Sequence, residues 1–183
     1  MALSSRTAAT LNVGFLTVLH EPSGYIGGYL VTNNWGRPLE FRLSTAVQPN
    51  RVQQILYGGT LEPYVCADLI GKTLVDKASV PVQLIVTERE SVLDLRLRLD
   101  VPVIWLASAG DGLAGAWAAS AEPIRQAADQ RGPIFGHPRF PQDAPAVRDM
   151  LDRLEDTLDL AEPFARIREA IGEARKMGVT KSA

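Results

Sequence analysis

The run Gly110-Asp111-Gly112-Leu113-Ala114-Gly115 is where residue type and spacing in this 183-residue chain most directly suggest chemistry. It fits G-x-G-x-x-G and falls between an apolar run predicted as a strand and an Ala-rich stretch predicted as a helix. In that setting glycines let a phosphate approach the backbone, and the helix start offers unpaired N–H groups. Gly110, Gly112 and Gly115 are therefore candidate phosphate- or nucleotide-binding residues. Two features oppose the reading. The dinucleotide fingerprint opens its domain and expects an acidic residue ending a strand about 20 residues on, whereas the segment that follows here is Pro-rich, and Asp111 would repel phosphate. The alternative is a glycine loop entering a helix.

Other reactive residue types are sparse. Cys66 is the only cysteine, which excludes an intramolecular disulfide or a Cys-cluster metal site, and Tyr64-Val65-Cys66-Ala67 reads as a helix interior holding an inert thiol. His20 and His137 are the only histidines and lie far apart in sequence; His137, in Phe135-Gly136-His137-Pro138, reads as a loop residue. No serine sits in a G-x-S-x-G context. Asn33-Asn34-Trp35-Gly36-Arg37 sets an aromatic and a cation at a turn, which suits either a recognition tip or a Trp folded back on a sheet.

The elements that must position these residues announce themselves through Val-Pro-Val, which occurs at 80–82 and 101–103, each copy opening an apolar run after a helix-like stretch. A repeated helix-strand unit implies parallel strands with their ligand loops at one sheet edge. Before it, Val13 to His20, Tyr25 to Thr32 and Pro38 to Leu43 read as an antiparallel meander with short turns. Pro49 to Tyr57 reads as a short helix with Val52, Ile55 and Leu56 on one face, and a longer helix starts with Thr60 as its predicted N-cap. Strands are predicted over Val82 to Thr87 and Val103 to Ala107. Between them, Leu93, Leu95, Leu97 and Leu99 alternate with charged residues as a strand would, but Thr87-Glu88-Arg89-Glu90 fits a capping box and a parallel crossover is most often helical. Residues 89–99 are read as helix, with strand as the alternative.

The expected organisation is a flexible N-terminus (1–12), an α/β domain (13–130), a Pro-rich connection (131–145), a C-terminal helical hairpin (146–177) and a tail (178–183). The hairpin presents Val147, Met150, Leu151, Leu154 and Leu158 on one helix and Phe164, Ile167 and Ile171 on the other. Both stripes could pack on the same domain, or the hairpin could serve a protein partner or a second copy of the chain. With 19 Lys and Arg against 21 Asp and Glu, the net charge of −2 supplies no general field for nucleic acid, which stays possible only through a local patch. Met1 to Asn12 has no apolar leader pattern and no run reaches the ~20 apolar residues of a membrane span, so a soluble cytoplasmic protein is expected, with no membrane partner.

Three antiparallel strands, a helical region, a parallel strand, a helix and another parallel strand is an order that resembles the ribonuclease H-like fold. The segment Val18-Leu19-His20-Glu21-Pro22-Ser23-Gly24-Tyr25-Ile26-Gly27-Gly28-Tyr29-Leu30-Val31 looks like that family's first hairpin, where an acidic residue precedes a Gly-rich turn. Leu84-Ile85-Val86-Thr87-Glu88 looks like its fourth strand, which ends in an acidic residue. The resemblance covers about Val13 to Ala107. It implies an α/β mixed sheet and, for members that cut phosphodiester bonds, clustered carboxylates holding two divalent metals that stabilise the attacking and leaving oxygens. Carried across, the catalytic and metal positions are Glu21, then Asp68 or Glu62 on the long helix, then Glu88, with Mg²⁺ as the metal. The first position departs from the pattern: His20-Glu21 stands nearer the turn than the family's strand Asp, and displacement degrades the octahedral geometry Mg²⁺ demands. Without that chemistry, Glu21 is a turn residue, Asp68 a solvated helix position and Glu88 part of the capping box.

No catalytic set is complete, so the expected function is a non-catalytic binding or protein-interaction module on an α/β scaffold. The alternatives are a metal-dependent nuclease-type phosphodiesterase using Glu21, Asp68 and Glu88, and a phosphate or nucleotide binder using the loop from Gly110 to Gly115.

Overall fold

The computed structural model describes residues 10–108, 122–126 and 131–178. Strand β1 (Val13–Glu21) turns through Pro22-Ser23 into β2 (Gly24–Thr32), the pair running antiparallel from Val13 opposite Thr32 to Glu21 opposite Gly24. Gly24 has φ 117°, a value that only glycine adopts without strain, and it lets the turn close in so few residues. At the next turn the Asn33 carboxamide oxygen accepts the N–H groups of Trp35 and Arg37 and leads into β3 (Pro38–Leu43). Three strands of the repeat-bearing half follow: β4 (Leu84–Thr87), β5 (Val103–Leu106) and β6 (Ile134–Gly136).

These form one sheet in the order β3-β2-β1-β4-β5-β6, with β1, β4 and β5 mutually parallel and the remaining pairings antiparallel. The result is a mixed α/β sheet with the topology the ribonuclease H-like resemblance implies. β6 places a short strand within the Pro-rich connection expected over 131–145. Ile134 and Phe135 are buried against β5, whose open edge recruits a segment too short to show strand periodicity.

Helices cover both faces, which is why β1 and β2 are buried over nearly their whole length. One face carries α2 (Leu61–Pro63), a π-helical stretch (Tyr64–Gly71), α3 (Lys72–Lys77) and a 3₁₀ helix (Glu90–Arg98). The last settles residues 90–98 as helix rather than strand: Val92 and Leu95, three apart, share the buried side of a three-residue turn. Thr60 does not cap α2, since the chain is already helical before it and its hydroxyl donates to the Tyr57 carbonyl. Ahead of these, α1 (Arg51–Tyr57) is closed by an Asn50–Gln53 capping box but buries no residue, so its Val52, Ile55 and Leu56 stripe stays exposed.

The other face carries α4 (Ala144–Leu154) and α5 (Glu162–Lys176). Val147, Leu151, Leu154, Phe164, Ile167 and Ile171 pack there with Phe15, Ile26, Leu84 and Ile104 of the sheet. The reading of this hairpin as an arm for a protein partner or a second copy is therefore corrected, because both of its apolar stripes are spent on the domain's own sheet. Both layers press on the sheet at adjacent glycines of β2: a Cβ on Gly27 would lie 2.2 Å from Ile70 Cγ2, and one on Gly28 would lie 2.4 Å from Ile167 Cγ2.

The edge strand β3 is tied to the crossover before β4 by Glu40, whose carboxylate accepts the Ser79 and Val80 N–H groups and pairs with Arg42 at 2.9 Å. The Val80 N–H is the largest influence holding the Glu40 carboxyl below the usual carboxylate range. A lowered folded-state pKa stabilises the fold above the ordinary Glu value and is lost as pH falls through the folded-state value. Glu40→Gln should therefore flatten the acid limb of stability below about pH 4.5, measured by urea unfolding as a function of pH.

Candidate functional site

Parallel register decides which side chains meet at the carboxyl edge. Leu16 lies opposite Thr87, so the next residues, Thr17 on β1 and Glu88 after β4, stand side by side. The buried Thr17 hydroxyl donates to Glu88 Oε1 at 2.9 Å. Arg168 of α5 reaches both Glu88 oxygens from one nitrogen, at 2.5 and 2.6 Å. Glu21 lies four residues beyond Thr17, roughly 13 Å along the strand at the usual rise, and pairs with Arg175 at 2.6 Å. Arg168 and Arg175 are seven residues apart, two turns of α5, and so meet acids spaced along β1.

Asp68 is on the opposite helical layer, where Arg98 grips both its oxygens at 3.0 and 3.3 Å. Glu62, the other helix candidate, pairs with Arg89 at 3.2 Å. The catalytic and metal set Glu21, Asp68 and Glu88 is thus not brought together. Among the described residues no group of three or more His, Cys, Asp and Glu could hold a metal ion. The described residue beside Glu88 is Thr17, a neutral group, and the donors among the described residues do not fit a two-metal centre. Gly110, Gly112 and Gly115 lie outside the described residues.

The histidines are also apart. His20 stacks on Tyr25 at 4.0 Å, while His137 lies in the loop after β6, as expected, and is buried there. Its Nδ1 accepts the Arg139 N–H at 3.2 Å, which assigns the proton of the neutral ring to Nε2, 3.1 Å from Asp94 Oδ1. This joins the turn after β6 to the 3₁₀ helix and is a staple. Burial pushes the Cys66 thiol up to about 11, consistent with an inert core residue. Trp35 is 69% exposed and is not folded back on the sheet.

Glu88 and Arg168 also line a cleft of about 550 Å³ between the ends of β4 and β5 and the α4–α5 connection. Its apolar lining comes from Leu106, Ile134, Leu158, Leu160 and Phe164, and its other charges are Arg125, Arg131, Glu155 and Asp159. Arg125 bridges Asp152, at 2.6 Å, and Glu155. Gly132 is needed in the wall, where a Cβ would overlap the Ala107 carbonyl oxygen. Sequence reasoning found Glu88 but missed Thr17, Arg168 and the cleft. The only local signal was the pair of α5 arginines two turns apart.

No family model and no curated protein matches the chain. Solved structures similar to it include the endonuclease V of Bacillus subtilis, at 13% identity and TM-score 0.36, covering 54% of this chain and 44% of that one. The chain thus spans less than half the length of that enzyme. A variant of the Ciona intestinalis endonuclease V, in complex with a 23mer DNA containing an inosine followed by a ribo-adenosine, is similar at 11% identity and TM-score 0.39 over 71% of each chain. The same enzyme with a 24mer DNA gives 11% identity and TM-score 0.33, again over 71% of each. Likenesses this distant leave function to be read from the chain's own residues.

Proposed function

We propose that this chain is a non-catalytic binding module on a ribonuclease H-like scaffold, with its ligand site in the cleft at the carboxyl ends of β4 and β5. The observation that carries this is Glu88. Its carboxylate is held by a buried Thr17 hydroxyl and by the Arg168 guanidinium, so its charge is already answered by groups of the chain itself. A cleft of about 550 Å³, lined by both charged and apolar side chains, is of the size that small-molecule sites have.

One observation favours a second reading, a metal-dependent nuclease-type phosphodiesterase with Mg²⁺ and a nucleic-acid partner: Glu88 does end β4 beside β1, within the cleft. The two readings separate in a cleavage assay with labelled single-stranded, double-stranded and inosine-containing oligonucleotides in Mg²⁺ or Mn²⁺. The binding-module reading expects no product beyond a no-enzyme control. Cleavage abolished by Glu88→Gln would establish the nuclease instead.

A further inference from the structure

The charges lining the cleft are unequally engaged, and the difference selects a ligand. Glu88 is satisfied by Thr17 and Arg168, and Glu155 by Arg125. Asp159 accepts the Ala161 N–H at 3.0 Å at the start of α5. Arg131 is different: its Nη1 stands 4.0 Å from Glu155 Oε1, beyond hydrogen-bonding distance, and its side chain is 66% exposed. Among the described residues its five N–H donors have no acceptor at bonding distance.

An anion bound at Arg125 or Arg168, or a cation bound at Glu88 or Glu155, would have to displace an ion pair already made, leaving one partner unpaired. A guanidinium without a close acceptor carries no such cost, and its planar fork matches an anion that offers two oxygens. The same cleft is lined by Leu106, Ile134, Leu158, Leu160 and Phe164, of which the half-buried Leu106, Leu158 and Leu160 offer apolar surface that stabilises a ring or a short alkyl body by burial. A volume of about 550 Å³ suits one such body and not a polymer. Resting on the proposal that this cleft is the ligand site, we infer that it takes a small amphiphile. One carboxylate or phosphate is held by Arg131 and is joined to an aromatic or aliphatic body seated against the half-buried Leu106, Leu158 and Leu160.

Calorimetric titration of the full chain with phenyl phosphate and with phenylbutyrate, against inorganic phosphate and phenylbutanol, separates the contributions. At least one anionic aromatic should bind, about tenfold or more tighter than phosphate alone or the alcohol, and Arg131→Gln should bring it to the level of the alcohol. The stronger of the two identifies the anion. Ala161→Trp, at an exposed position on the cleft lining, should block every probe that binds. If anions and alcohol bind equally, with no effect of Arg131→Gln but with loss in Ala161→Trp, the anion assignment is overturned and the cleft remains the site. Flat titrations for every probe, or binding that Ala161→Trp leaves unchanged, overturn the cleft as well.

Discussion

Phe164→Ala should cost about 3–5 kcal/mol of folding stability, the range for truncating a buried aromatic. Phe164 is 1% exposed and meets Phe15 of β1 edge-on, with ring centroids 5.6 Å apart and planes at 80°. That geometry adds an aromatic contribution to the burial itself. Phe164 also sits in the first turn of α5, so the void would open between the sheet and the helix that carries Arg168. Urea unfolding followed by circular dichroism and by fluorescence of the buried Trp105, in a background with Trp35→Phe and Trp117→Phe, reads the cost. The sheet and the helices should unfold in one transition, shifted equally for both probes. A helical arm docked loosely on a self-sufficient sheet would leave the Trp105 transition where it was.

The second large effect is expected at Gly28. Its hypothetical Cβ lies 2.4 Å from Ile167 Cγ2 and 3.2 Å from Ile171 Cδ1, so any side chain there must push α5 off the sheet. Gly28→Val should destabilise by about 3 kcal/mol, the upper part of the range for overpacking a filled core. A midpoint from thermal unfolding measures it. Gly172→Ala in α5 is the control, because nothing lies within 4 Å of the added methyl and alanine is the better helix former. That variant should match or exceed the parent in stability. Equal midpoints for Gly28→Val and the parent would mean that α5 does not bear on β2.

What was legible in the sequence follows from how local each cause is. β1, β2 and β3 were readable because turn residues and apolar runs are properties of neighbours in the chain, and they were predicted within a residue or two of their observed ends. β6 was not, since the pairing that makes Ile134–Gly136 a strand belongs to β5. The stripes on α4 and α5 were visible, but amphipathicity says only that a face will be buried and not against what. Glu88 could be placed because it ends a recognisable strand. Thr17 could not, because its partnership with Glu88 depends on the β1–β4 register across some 70 residues of chain. Glu21 drew attention as the nearest acid to the turn, yet the register carries it past Glu88 to Arg175.

Charge pairing across layers was hidden for the same reason. Nothing local to the sequence singles out Arg168 or Arg175, which fall off the apolar stripe of an amphipathic helix. Packing of Phe164, Ile167 and Ile171 onto the sheet turns those arginines toward Glu88 and Glu21, so core residues place the guanidinium groups that neutralise the edge.

Manganese titration of the unmodified chain, read by calorimetry and by the loss of the free-ion paramagnetic resonance signal, tests most directly whether that edge is a binding surface or a metal centre. With Glu88 engaged by Thr17 and Arg168, no saturable Mn²⁺ site should appear at ion concentrations that load two-metal enzymes. A saturable site that Glu88→Gln removes and Asp68→Asn leaves intact would contradict the binding-module reading and place a metal at the end of β4.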